Sequence, residues 1–472
     1  MPLVAGVDSS TQSTKVEIRD ADSGVLVASG RAPHPAVSPP RSEQDPAAWW
    51  LAFEAAWAAA GGPDRRVAAI AIAGQQHGMV VLDGAGEVIR PAKLWNDTES
   101  APDAGWLIKQ LDGGAAAWAA ACGTVPVASL TITKLSWLHR TEPESWARLA
   151  RVMLPHDWIT LRLCGDRVTD RGDASGTGYW SPAKGEYRYD LLAVVDAARD
   201  WTDALPRVAG PLEAVGTWEG AVVAPGTGDN MAAALGAALR PGDVAISLGT
   251  SGTVATVAAA ATADPGGAVC GFASADGAFL PLVCTLNATR VTDTIGTLLG
   301  LDHEQLDAAA LAAPLGAGGL VVLPYFDGER TPNRPKATGV LGGLRTSTSP
   351  AEVARAAFEG VVCAQLDGLD HLSSVVGVLD GRLVLVGGGA HSPAYRRILA
   401  DVAGRPVDVL RSDEQVAAGA CVQAAAVLHQ RAPGEVAAAW NLAAADVIEP
   451  SPSSDAVAEL RAAYAARRDA EA

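Results

Sequence analysis

The chain has 472 residues, 49% of them hydrophobic, and a formal net charge of −17 at pH 7. That length suits two domains of about 200 residues each better than one core. So acidic a chain, with no basic run to override its field, repels phosphate backbones and anionic lipid, which argues against nucleic acid and membrane as partners. The six cysteines, Cys122, Cys164, Cys270, Cys284, Cys363 and Cys421, show no CxxC or Cys/His ligand spacing, so neither a disulfide framework nor a zinc site is indicated. MPLVAGVDSS lacks a basic n-region, and no run of about 18 apolar residues occurs, so the expectation is a cytoplasmic protein.

In chain order, Val4 to Val7 and Lys15 to Ile18 read as short strands and Gly24 to Gly30 as a third, with the polar turn Asp8 to Thr14 between the first two. A Pro-rich loop leads into AAWWLAFEAAWAAA, where Trp49, Trp50, Phe53 and Trp57 fall at helical spacing and predict a core-facing aromatic stripe. VAAIAIAGQQHG, from Val67, is a buried strand ending in a polar turn, and GEVIRPAKLWND sets a second polar cluster after a short apolar run. ASLTITKLSWLHR reads as a helix, and PHDWITLRLCGD as a strand end passing into a helix. GTGDN puts Asp229 on a glycine-flanked turn before a helix, and Pro241 and Gly242 break the chain. From Val244 the strand, turn, strand plan begins again in VAISLGTSGTVATVAAA; RLVLVGGGAHSPAYRRILADVAG adds a strand, a triple-glycine turn and a helix. The halves read as repeats of one α/β architecture, with domains at 1–240 and 241–450 and a peripheral tail over 451–472.

The chemistry gathers at strand ends, where open α/β sheets bind ligands. In DSSTQST and LGTSGT the small residues let successive backbone N–H groups converge, and Thr11, Gln12, Ser13, Thr250 and Ser251 add polar side chains. Either turn alone is as well explained by a polar hairpin; together, opening matched halves, they suit a polyphosphate. No GxxxxGK[ST] segment is present, so the loop is not of the Walker kind. A carboxylate at Asp8 beside phosphate donors makes sense if Mg²⁺ intervenes, held through water. Asp229 can accept a proton from a hydroxyl nucleophile. Gly388, Gly389 and Ala390, within GGGA, leave room for a flat ring against backbone. Gln76 and His77 in AGQQHG, Trp95, Asn96 and Asp97 in LWND, and Asn230 beside Asp229 offer an aromatic face and hydrogen-bonding groups that suit a polyol.

These segments resemble the FGGY family of carbohydrate kinases, within the actin-like ATPase superfamily, over nearly the whole chain. TKLSWL around Lys134 matches one family signature, and GVLGGL from Gly339, followed by EVARAAFE, matches another. SEQDPAAWW, AIAGQQHG, LWND, GTGDN, SLGTSG, LPYFDGERTP and LVGGGAHS occur in the order seen in the branch acting on D-xylulose. The resemblance implies two ribonuclease H-like domains flanking a cleft, sugar held mainly by the first and ATP by the second. It implies Asp229 as catalytic base, Asp8 in placing Mg²⁺ and phosphate, and Gln76 and His77 in the sugar site. It leaves room for a homodimer. The first turn reads DSSTQS where many members have D-x-G-T-x-S, and Gln76 stands where Met is familiar.

Overall fold

The computed structural model describes residues 1–412, 414–451 and 454–471. The chain folds into two compact units. The first comprises Met1–Leu239, Ala258–Leu280 and Glu414–Ala443, and the second Arg240–Val257, Pro281–Asp413 and Ala444–Ala472.

In the first unit a seven-stranded mixed sheet is built on the opening meander. Strands β1 (Leu3–Ser9), β2 (Ser13–Asp20) and β3 (Leu26–Pro33) pair antiparallel in sequence. Strand β4 (Val67–Gly74) lies parallel to β1 on its other side. Helix α1 (Pro46–Ala59) starts at Asp45, whose carboxylate caps the Ala47 N–H, and buries Trp49, Phe53 and Trp57 against this sheet. Helix α2 (Thr131–Thr141) carries Lys134, fully buried, its ammonium donating to the carbonyls of Ala128, Ser129 and Leu130. Helix α3 (Pro155–Cys164) and the short α4 (Arg171–Ala174) follow. Strands β5 (Gly216–Trp218), β6 (Ala221–Val223) and β7 (Thr227–Gly228) complete the sheet, β6 and β7 both parallel to β4, and β7 runs into helix α5 (Asp229–Gly236).

The helix Gln415–His429 belongs to this unit although the sequence reading places it in a second domain. It packs at backbone contact on both β1 and α5. A Cβ on Gly6 would lie 2.2 Å from the Ala417 carbonyl oxygen, and one on Gly419 would lie 1.8 Å from that of Ala232. Only glycine allows so close an approach.

The second unit repeats the plan. Strands β8 (Val244–Leu248) and β9 (Gly252–Thr256) form an antiparallel pair extended by β10 (Phe279–Thr285). On the other side of β8 lie β11 (Leu383–Val386) and β12 (Val407–Leu410), both parallel, and then the antiparallel β13 (Ala445–Ile448). The longest helix, α6 (Pro350–Val376), has a capping box in which Ser349 and Glu352 bond reciprocally. The C-terminal helix Ser454–Ala470, expected to be peripheral, is docked: Leu460 and Tyr464 are buried, and Arg461 and Arg468 both pair with Asp367 of α6. All six cysteines are free thiols. Among the described residues no helix is long and apolar enough to cross a membrane.

Candidate active site

Parallel register sets the site of the first unit. Asp8 pairs with Ala73, Ser9 with Gly74, and Gly228 also with Gly74, so Asp8, the Gln75–His77 turn and Asp229 all emerge at the carboxyl ends of β1, β4 and β7. Asp8 is only 2% exposed. It accepts a hydrogen bond from Ser10 Oγ, and Lys15 Nζ lies 3.6 Å away, itself bound to Glu414 at 2.6 Å. Burial raises its pKa above the usual carboxylate range, Ser10 and Lys15 pulling the other way.

Asp229 opens α5, and the Asn230 backbone N–H and side-chain amide both donate to its Oδ1, at 2.8 and 3.0 Å. Burial, then the nearby charges of Asp8 and Asp173, push its pKa up to about 8. Its Oδ2 takes no hydrogen bond among the described residues. It is therefore a basic acceptor with one oxygen held and one available. Two neighbouring carboxylates with raised pKa values, only one of them near a lysine, form an oxygen donor set short of positive charge. A hard divalent cation fits that chemistry.

Around this pair the polyol candidates gather. The Asn230 amide also donates to Gln76 Oε1 at 2.7 Å, which fixes the Gln76 side chain and leaves its Nε2 buried with no protein acceptor. His77 adopts the left-handed region, φ 64°, a conformation uncommon outside glycine and a frequent mark of functional sites. Its ring lies 5.2 Å from that of Phe272. Trp95 donates its indole N–H to Thr11 Oγ1 at 2.9 Å, and that hydroxyl donates to Gln75 Oε1 at 3.2 Å. Asn96 Oδ1 is buried without a protein donor.

Several candidates have other commitments. The Thr11 hydroxyl serves Trp95 and Gln75, and Ser13 accepts from Arg31 at 3.2 Å, so neither side chain is held open for phosphate. Gln12 is exposed at the turn, its carbonyl accepting from the His34 N–H. Asp97 is fully buried and engaged at both oxygens: Oδ2 accepts from Ser42 N–H and Lys93 Nζ, each at 2.9 Å, and Oδ1 from Glu99 N–H at 3.1 Å. Lys93, also fully buried, sits 3.2 Å from Glu43 and 2.6 Å from Glu99, its ammonium 3.9 Å from the centre of the Trp137 ring. This acidic trio already has its cation. Asp97 thus shapes the loop that presents Trp95 and Asn96.

In the second unit, register again places the nucleotide candidates together. Ser247 of β8 pairs with Val386 of β11, so the Gly249–Ser251 turn and the Gly387–Ala390 turn leave adjacent strand ends. Ser251 Oγ donates to the Leu286 carbonyl at 3.3 Å, and the Thr250 carbonyl accepts from Ala288. A Cβ on Gly389 would stand 2.6 Å from Leu248 Cβ, whereas a Cβ on Gly388 would meet nothing within 4 Å. Gly389 allows the two turns to touch, and Gly388 leaves an open backbone face.

The sequence reading noted Ser10 only as a departure from the family pattern and did not single out Lys15, Glu414, His156 or Asp173. Ser10 and Lys15 were within reach of it, because antiparallel pairing of Asp8 with Lys15 follows from the turn length; the others come from remote segments.

Paired mixed-sheet units with carboxylates at the strand ends of one, and small-residue turns at those of the other, define an actin-like ATPase fold. Residues 3–236 match the N-terminal domain and residues 244–428 the C-terminal domain of the FGGY family of carbohydrate kinases. The chain belongs to that family. It is similar to xylulose kinase of Streptomyces coelicolor, 46% identical over 95% of this chain and 92% of that protein. It is also similar to xylulose kinase of Haemophilus influenzae, 33% identical over 89% of this chain and 90% of that one. Among solved structures, xylulose kinase from Bifidobacterium adolescentis superposes with a TM-score of 0.87 at 41% identity, covering 99% of each chain. Gluconate kinase from Lactobacillus acidophilus superposes at 0.91 with 23% identity, over 99% of this chain and 98% of that one, which shows a shared fold.

Proposed function

We propose that this kinase transfers the γ-phosphoryl group of ATP to the terminal hydroxyl of D-xylulose, giving D-xylulose 5-phosphate and ADP. The observation that carries this reading is the 46% identity to xylulose kinase of S. coelicolor along 95% of the chain, which includes the Gln76, His77, Asp229 and Asn230 cluster. Asp229 accepts the hydroxyl proton through its available Oδ2 as the alcohol oxygen attacks phosphorus and the bond to the ADP oxygen breaks. A base poised near the working pH is the efficient kind. Gln76 Nε2, the His77 ring and the Trp95–Asn96 loop orient the sugar by hydrogen bonds and an apolar face. Asp8, through water, would hold Mg²⁺, which when bound offsets charge on the phosphate oxygens. Thr250, Ser251 and the Gly388–Ala390 backbone receive the nucleotide in the second unit.

The test is ADP release coupled to a spectroscopic readout across D-xylulose, D-ribulose, gluconate and glycerol. The expected result is the highest kcat/KM with D-xylulose. A higher value for another sugar overturns the substrate, and ATP turnover indifferent to every sugar overturns the kinase reading.

A further inference from the structure

Beneath the site lies a buried charged cluster that the proposed chemistry does not use. His156, in the first turn of α3, is fully buried, as are Asp157 and Asp173. Its Nδ1 lies 2.7 Å from Asp173 Oδ2 and its Nε2 3.2 Å from Asp157 Oδ1. Asp170, also buried, caps α4 by accepting the Gly172 and Asp173 N–H groups and takes the Thr227 hydroxyl at 2.7 Å. Burial lowers the imidazole pKa, but the carboxylates of Asp157, Asp173 and Asp170 outweigh it and raise it to about 9.

The position of that ring is distinctive. A Cβ on Gly74, the last residue of β4 before the Gln75–His77 turn, would come 2.9 Å from His156 Cβ. One on Gly226, just ahead of β7 and Asp229, would come 2.7 Å from His156 Cδ2. Asp173, held by the imidazole, faces the backbone N–H of His77 at its left-handed turn, which favours the charged carboxylate. Asp170, in the same cluster, holds Thr227, two residues before Asp229. One residue thus packs on the roots of both turns, its Cβ and backbone at Gly74 and its ring at Gly226, and is bonded to the carboxylate that faces the His77 backbone N–H.

We propose that His156 is a positioning residue for sugar phosphorylation, keeping the Gln76–His77 turn in register with Asp229 by way of Asp173 and by close packing on Gly74 and Gly226. The proposal rests on the sugar site assigned above. Loss of the imidazole frees the Asp173 carboxylate, relaxes the His77 backbone and misplaces the sugar against its base. A displacement of that kind is felt in sugar binding and turnover, and not in nucleotide binding.

The experiment compares full-length wild type, His156→Asn, His156→Leu and Asp173→Asn by thermal melting and by steady-state kinetics in both substrates. The wild type is first assayed on the sugar panel, and the sugar it prefers is used throughout, so an error in the sugar's identity stays separate from an error here. His156→Leu is expected to raise the sugar KM at least tenfold with the ATP KM within twofold. His156→Asn, whose amide can still donate to Asp173, is expected to recover most of that loss. Asp173→Asn, close in shape, should raise the sugar KM about fivefold and serves as the deciding variant if His156→Leu does not fold. An unchanged sugar KM in His156→Leu or Asp173→Asn overturns the proposal. So does an asparagine variant as impaired as the leucine one, or a parallel rise of both KM values with a falling melting temperature.

Discussion

Replacing Asp229 by asparagine separates catalysis from stability in opposite directions. A carboxyl whose pKa is raised from 3.8 to about 8 in the folded chain keeps a proton that the unfolded chain releases. Folding stability then falls as pH rises through that window, by up to about 1.4 kcal/mol per pH unit, and levels off above the folded pKa. From pH 5 to pH 8 the ceiling is about 4 kcal/mol. Asp229 is only partly buried, and solvent screening trims this to about 1–3 kcal/mol. Asparagine carries no such proton, so the stability advantage of Asp229→Asn over wild type should widen by that amount between pH 5 and pH 8 and then stop.

The molecule supplies its own probe for this measurement. All 13 tryptophans fall in Met1–Leu239 or Glu414–Ala443, so intrinsic fluorescence reports unfolding of the first unit alone. Urea titrations of both ligand-free proteins at five pH values give the difference directly. The same variant should lose roughly 10² to 10⁴ in kcat, the usual worth of a positioned base, with its ATP KM within about twofold of wild type. Parallel stability profiles across pH would refute the crowding of charge at Asp229, and near-normal turnover would refute its role as base.

Gly176→Ala places a Cβ 2.1 Å from the His77 ring, so the ring must shift; the expected result is a sugar KM raised about tenfold with unchanged ATP kinetics, read by steady-state assay. Gly388→Ala adds a methyl group where nothing lies within 4 Å, so melting should be unaffected while ATP binding measured by calorimetry weakens about tenfold; unaltered binding would remove the triple-glycine turn from the nucleotide site. Lys93→Met strips the cation from Glu43, Asp97 and Glu99 and should destabilise the first unit by about 3–5 kcal/mol in a fluorescence-monitored urea titration.

How far the sequence could be read depended on whether a residue's partners were close along the chain. The opening meander, the aromatic face of α1 and the second strand, turn, strand unit at Val244 were all legible because their periodicity and turn residues are local signals. The Asp8, Gln76 and Asp229 turns were legible as strand ends carrying polar residues. What escaped was long-range. Asp97 looked like a ligand group until Lys93 and Ser42 proved to occupy it, and Thr11 looked like a phosphate donor until Trp95 claimed its hydroxyl. The return of Gln415–His429 to the first unit depends on Gly6 and Gly419 admitting backbone contact. Helical periodicity in that segment predicts a buried helix but cannot say against which sheet.

The carboxylates of the first unit are better understood as one balanced set than as separate functional residues. Asp8, Asp173 and Asp229 all have pKa values raised first by burial, and the charges of Asp8 and Asp173 add to the rise at Asp229. Lys15 answers Asp8 and His156 answers Asp173, while Asp229 receives, among the described residues, only the two neutral donors of Asn230, both at one oxygen. The least compensated member is the one whose pKa is pushed up to about 8, and its Oδ2 takes no hydrogen bond among the described residues. A lysine or arginine beside Asp229 would stabilise the folded chain and lower that basicity in the same stroke. On the proposed mechanism, cationic compensation at Asp8 and Asp173, with neutral donors alone at Asp229, is what suits Asp229 to act as the base.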